Sequence, residues 1–407
     1  MSKLFVSEYI SKFSCIGSKC EDNCCGKWTV LVDKKSYEYY EKLEQEGVVD
    51  FLQFTEKNNE STHECDYATL KIDPDKMCPL LTEEGLCQIH RDYGFDALCD
   101  TCKHYPKSIR KMNDAYYQTG YLSCPEMARV VLLSKSLHEW KLVMTESPID
   151  QMLTDEITVN QNYMKNIHRN IKDIFEQQHL SLSQRIWLIG RFIGQLHTAI
   201  KDKKGKNKAI ALAEKAVKRR MKEEVSHFIE AKMSILLPGI VKIGHSFSPK
   251  EIKQHTTARR LSECVDLYKE GMQIQGKDKI IVKEFASMYR KNHDAFYQPF
   301  FTEHEYILEN YCWYYFQHEI FPYHSTNLPR EYLLFMIEFS ILKLFLVGIS
   351  ASSSGLNEQI IVQLFQTYAK WLTHAEENYA EYIVTIHDQL YERTQDFYEM
   401  VNILTSE

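Results

Sequence analysis

The chain has 407 residues, 44% hydrophobic and 26% charged, with a net charge of -7. That length buries one large core or two ordinary ones, and the mildly acidic balance excludes a global drive toward nucleic acid or an anionic membrane. Ten of the twelve cysteines lie between Cys15 and Cys124, which argues for two parts: a cysteine-rich segment over 1–143 and a second segment over 144–407.

Residues 1–8 contain no apolar run fit for a signal peptide, so the cysteines are expected to stay in a reducing compartment. Shared ligation of a metal or cluster then explains their density better than disulfides do. Cys15 and Cys20 lead into Cys24-Cys25. Adjacent side chains diverge in helix and strand alike, so one of that last pair is a spectator, a bridge or the ligand of a second site. A radical S-adenosylmethionine loop needs cysteines at gaps of three and two, and the immediate succession of Cys24 and Cys25 excludes it.

Residues 28–33 read as a short strand and 36–47 as a helix closed by Gly47. A polar loop over 55–64 leads to Cys65, for which a small buried side chain is as good a reading as a ligand. Residues 67–72 read as another strand. Glu84-Gly85 then predicts a reversal that brings Cys78 and Cys87 to one end of a small ribbon. His90, at a helix start beside so many thiols, reads as a packing residue. Cys99-Asp-Thr-Cys102 has the two-residue gap that lets two thiolates close on one metal from a single turn. Lys103, His104, Arg110 and Lys111 follow, and one or two of these cations are expected to offset thiolate charge. Cys124 precedes Pro125, a first-turn residue of a helix predicted over 126–138. Residues 144–155 form the expected linker.

Beyond it the pattern is helical. Ser181 and Gln184 have capping-box form, with Ile186, Ile189, Ile193 and Leu196 on one face. Residues 201–208 form a basic loop. The next helix is expected to carry Val217, Met221, Val225 and Phe228 on one side and basic residues in its first half. The aromatic run 308–321 reads as a core helix. The apolar stretch 332–349 is interrupted by Glu338 and Lys343, which favours a buried helix over a membrane span. Residues 357–387 read as one further helix. Glycine-rich nucleotide loops, a P-loop and a G-x-S-x-G elbow are absent. The fold class expected is mainly α: a small cysteine-rich metal-binding α+β module followed by a larger all-helical domain.

The motifs also form a pattern: Cys15-Ile-Gly-Ser-Lys-Cys20-Glu-Asp-Asn-Cys24-Cys25-Gly-Lys-Trp28, Cys78-Pro-Leu-Leu, Gly85-Leu-Cys87-Gln-Ile, Leu98-Cys99-Asp-Thr-Cys102-Lys-His-Tyr105-Pro106 and Leu122-Ser-Cys124-Pro-Glu126. In order and gaps this resembles the flagellin lysine N-methylases of the FliB type, densely over the first third of the chain. Position 107 is Lys where that pattern suggests Arg. The resemblance implies a cytoplasmic enzyme that moves a methyl group from S-adenosylmethionine to flagellin lysines, with flagellin as protein partner. A polar mechanism needs a base or a desolvated channel, because only a neutral lysine amine is nucleophilic. Tyr105, His104 and Glu126 are the candidates for that base. Cys15, Cys20, Cys24, Cys25, Cys78, Cys87, Cys99, Cys102 and Cys124 are the candidate metal ligands. Their number and the resemblance favour an iron–sulfur cluster, with zinc as the alternative. The competing function is a non-catalytic metal-stapled scaffold for a protein partner.

Overall fold

The computed structural model describes residues 2–24, 30–47, 51–60, 63–71, 77–136, 139–145, 155–157, 161–223, 228–244, 256–277, 279–319, 321–322, 327–374 and 378–406. Cys25 and most of the segment 144–155 lie outside them. The chain is mainly helical, and among the described residues strands occur only in the first 157 positions.

Strand β1 (Ser2–Ser7) leads into α1 (Glu8–Lys12), and β2 (Val30–Val32) into α2 (Lys34–Gln45). Strands β3 (Thr55–Lys57) and β4 (Ala68–Leu70) complete a three-stranded sheet in the order β2-β4-β3. Two short helices follow, α3 (Gln88–Tyr93) and α4 (Asp100–His104), then a hairpin of β5 (Lys107–Met112) and β6 (Ala115–Gly120) that turns through Asn113 at φ 52°. The sequence reading did not anticipate this hairpin. Helix α5 (Pro125–Leu132) and strands β7 (Trp140–Thr145) and β8 (Asp155–Ile157) end the mixed region.

The second sheet has the order β7-β1-β6-β5-β8. β1 lies inside it, parallel to β6 and antiparallel to β7, with Phe5 opposite both Tyr117 and Leu142. The Phe5 and Tyr117 rings stack at 5.0 Å. Such a cross-strand aromatic pair favours this register over a slipped one, which would turn Phe5 to the other face.

The helices that follow are α6 (Gln161–Phe175), α7 (Leu182–Lys201), α8 (Lys206–Arg220), α9 (Ile229–Gly244), α10 (Thr256–Gly271), α11 (Val282–Asn292), α12 (Gln298–His318), α13 (Leu328–Ser350), α14 (Glu358–His374), α15 (Asn378–Thr394) and α16 (Phe397–Thr405). Ser181 caps α7 as its pattern predicts, accepting from the Gln184 amide. α8 stops at Arg220, short of the expected extension, and Phe228 is exposed; Val225 is outside the described residues. The single helix expected over 357–387 is two, α14 and α15.

α13 is long and apolar enough to cross a membrane by length and composition, yet 89% of its most apolar window is buried inside the protein. Lys343 is buried with it. The aromatic helix α12 is core as expected, with Tyr311, Trp313, Tyr314 and Phe316 all covered.

Two cores result. The small one gathers Val30, Val32, Tyr37, Tyr40, Phe51, Leu70, Ile89 and Leu98, with Cys78, Cys87, Cys99 and Cys102 in or against it. The large one unites the helices with Tyr9, Ile10, Leu122, Met127, Val131 and Leu132 from the first 143 residues, and Cys124 packs against it.

Candidate functional site

Three of the cysteines occupy the residue that starts a short helix: Cys87 before α3, Cys99 before α4 and Cys124 before α5. Orphan N–H groups of a first turn point back toward that position. None of the three makes a side-chain cap hydrogen bond, but the first-turn amides work electrostatically to lower the thiol pKa values, Ile89 and His90 on Cys87, Cys102 on Cys99, and Glu126 and Met127 on Cys124. The amides of Leu80 and Asp22 act in the same sense on Cys78 and Cys20.

The scaffold around them follows from ordinary capping and turn chemistry. Asp33 serves two helices: one carboxylate oxygen accepts the Ser36 amide of α2 at 2.9 Å, the other the Asp100 amide of α4 at 2.9 Å. The Thr101 hydroxyl donates to the Leu31 carbonyl at 2.6 Å, and the Tyr40 hydroxyl to that of Ala97 at 2.8 Å. Cys99 and Cys102 are thereby fixed against β2. The reversal at Gly85, with φ 76°, pairs Leu81 with Cys87 as the ribbon reading predicted.

The thiols form two electrostatic neighbourhoods. Cys78, Cys87, Cys99 and Cys24 interact with one another, and Cys102 bonds Cys99. Cys15 and Cys20 form the other group with Cys124, which also feels Cys24. Cys24 thus belongs to both. Cys65 is half-buried, and burial first, with Asp66, Asp100 and Asp33 after it, raises its thiol.

Burial pushes the Cys78 and Cys124 thiols up to about 12 and raises Cys87 and Cys20 as well. Cys99 is held below its ordinary value by the Cys102 side chain, against the effect of burial. Metal binding at such thiols must release protons, so affinity falls with falling pH. The donor chemistry, soft sulfurs at the starts of short helices, fits a thiolate-bound metal or cluster. Among the described residues no three His, Cys, Asp or Glu side chains meet closely enough to hold a metal ion as they stand.

The candidate bases differ in their surroundings. The Tyr105 hydroxyl is 3.0 Å from Ser123 Oγ, and burial, with Cys124 beside it, raises its pKa far above normal. Glu126 is held by Arg129, which also binds Glu21. His104 is half-buried, and its pKa is lowered, by burial first, with Asp100 opposing and Lys107 and Lys103 adding to the shift.

A group missed in the sequence lies at the same place. The Asp22 carboxylate, between Cys20 and Cys24, accepts from Lys370 Nζ at 3.1 Å, Gln366 Nε2 at 2.9 Å and Thr257 Oγ1 at 2.9 Å. Burial alone would raise Asp22, but the Lys370 ammonium and these hydrogen bonds outweigh it and hold the carboxyl below its ordinary range. Nothing local marked it: Gln366 and Lys370 share their side of α14 with other polar residues, Gln363 and Thr367.

Residues 168–400, more than half of the chain, match the family described as the FliB lysine N-methylase C-terminal domain. The chain is 29% identical over 140 residues to proteins named Lysine-N-methylase from Salmonella typhimurium strain LT2 and Salmonella choleraesuis strain SC-B67, a match covering 32% of this chain and 33% of each relative. It is 29% identical over 140 residues to the Flagellar biosynthetic protein FliU of Salmonella muenchen, covering 79% of that protein. No solved structure matches. On the match of residues 168–400, the chain belongs to the FliB lysine N-methylase family.

Proposed function

We propose that this protein transfers methyl groups from S-adenosylmethionine to lysine side chains of flagellin in the cytoplasm. The observation that carries the reading is the family match over 168–400, and the names of the Salmonella relatives agree with it. The two relatives named Lysine-N-methylase are covered over 33% of their length, so substrate and activity are carried to this chain as proposals.

The thiols at positions 15, 20, 24, 25, 78, 87, 99, 102 and 124 are proposed to hold an iron–sulfur cluster in preference to zinc, since they outnumber the four ligands one zinc takes. S-adenosylmethionine supplies the methyl group from its sulfonium. The chain has to hold the acceptor lysine as a neutral amine and take up the proton its nitrogen loses. Of the three candidate bases, Tyr105 is engaged by Ser123 and Glu126 by Arg129. His104 has no hydrogen-bond partner among the described residues and is the proposed acceptor.

The test is direct. Purified protein, S-adenosylmethionine, a reductant and flagellin monomer are incubated together, and mass spectrometry reads lysines heavier by one or more methyl groups. Flagellin with unchanged methylation from cells lacking this protein overturns the reading.

A further inference from the structure

The cysteine-bearing loop is tied to the far end of the chain. Asp22 and Lys370 are 348 residues apart, and their side chains are 1% and 6% exposed. Lys370 also donates to the Asn23 carbonyl at 2.6 Å. Gln366, one turn earlier on α14 and fully buried, spans both cysteine segments, donating to Asp22 at 2.9 Å and to the Ser123 carbonyl at 3.0 Å. Thr257, in the first turn of α10, completes the set. Cys20 and Cys24 flank the loop end of this network, and Cys124 follows Ser123.

We propose that Asp22, Gln366 and Lys370 form a latch through which α14 positions the Cys20–Cys24 loop against Cys124. The loop carries no regular structure of its own: a three-residue 3-10 turn, Gly17–Lys19, leads into it, and besides the latch the Glu21–Arg129 ion pair holds it. A buried ion pair is a strong positional constraint, because a lateral slip leaves both charges desolvated and unpaired. Gln366 adds direction, since each of its bonds goes to a different cysteine segment. Cys78, Cys87, Cys99 and Cys102 sit in or against the small core. The Cys20–Cys24 loop and the Cys124 segment are therefore joined through α14, whereas Cys78, Cys87, Cys99 and Cys102 are seated by the small core. Any consequence for catalysis rests on the methylase reading; the positioning does not.

The experiment reads the cysteines themselves. The full-length protein, purified without oxygen, is pulsed with N-ethylmaleimide, and the alkylation rate of each cysteine is followed by mass spectrometry. In Lys370→Met, Cys20 and Cys124 are expected to react roughly tenfold faster, with Cys87 and Cys99 within about twofold of wild type and helicity unchanged. Lys370→Arg keeps the charge and is expected to restore protection. Gln366→Met strands no charge and serves if Lys370→Met does not fold; it removes a bond to each cysteine segment and is expected to accelerate both Cys20 and Cys124, by less than Lys370→Met does. Unchanged rates at Cys20 and Cys124 in folded variants overturn the latch, as does an equal rise at all cysteines. Flagellin methylation does not enter these readouts, so the latch and the methylase reading fail separately.

Discussion

Thr119 Oγ1 and His318 Nδ1 lie 3.0 Å apart although 199 residues separate them in the chain. Arg110 strengthens the junction by donating to the His318 carbonyl at 2.5 Å, and Tyr314 stacks on the imidazole at 5.1 Å. The end of α12 is thereby fixed to β5 and β6.

This junction predicts a pH dependence. Burial lowers His318 from 6.5 to about 4. The unfolded chain binds the proton below pH 6.5 and the folded chain only below about 4, so stability is present above 6.5 and lost as pH falls between the two values. The loss amounts to roughly 3 kcal/mol. Urea midpoints measured from pH 7 to pH 4 should show this slope, and His318→Gln should remove its share of it.

Gly271 makes the second case. A Cβ there would lie 1.9 Å from the Gly348 carbonyl oxygen, where α10 and α13 meet backbone to backbone. Gly271→Ala is expected to cost about 2 kcal/mol or more, since neither helix has room to retreat. Gly205, where an added Cβ would meet nothing within 4 Å, is the control. It precedes α8 as the capping residue, so Gly205→Ala should cost no more than about 1 kcal/mol by thermal or chemical denaturation.

The metal reading predicts coupled losses. Cys99→Ser and Cys102→Ser are expected to lower bound iron and sulfide and to destabilise the small core, because ligation and folding are linked. Cys264→Ser, buried among the helices, should leave metal content unchanged. Elemental analysis with the absorption spectrum near roughly 400 nm reads both. One equivalent of zinc without iron would replace the cluster by the alternative metal.

For the proposed base, substitution separates the three candidates. His104→Gln should lower the methylation rate by roughly 10²-fold or more, in the range of general-base loss. Glu126→Gln and Tyr105→Phe should each leave it within about tenfold of wild type, their side chains being engaged by Arg129 and Ser123. A rate undisturbed by His104→Gln would assign the proton elsewhere.

The sequence alone determined what depends on near neighbours. The Ser181 cap, the reversal at Gly85, the aromatic core of α12 and the buried course of α13 all follow from spacing and residue type within a few turns. So did the grouping of Cys99 with Cys102, one helical turn apart. What only the tertiary structure decided is everything joined across long stretches of chain: β1 placed between β6 and β7, the sorting of the thiols into two neighbourhoods, and the reach of Lys370 to Asp22. The physical reason is that helix caps and periodicity are written into adjacent residues, whereas a buried carboxylate and its lysine 348 positions away leave no local mark. Each looks like one more surface charge until the helices close over both.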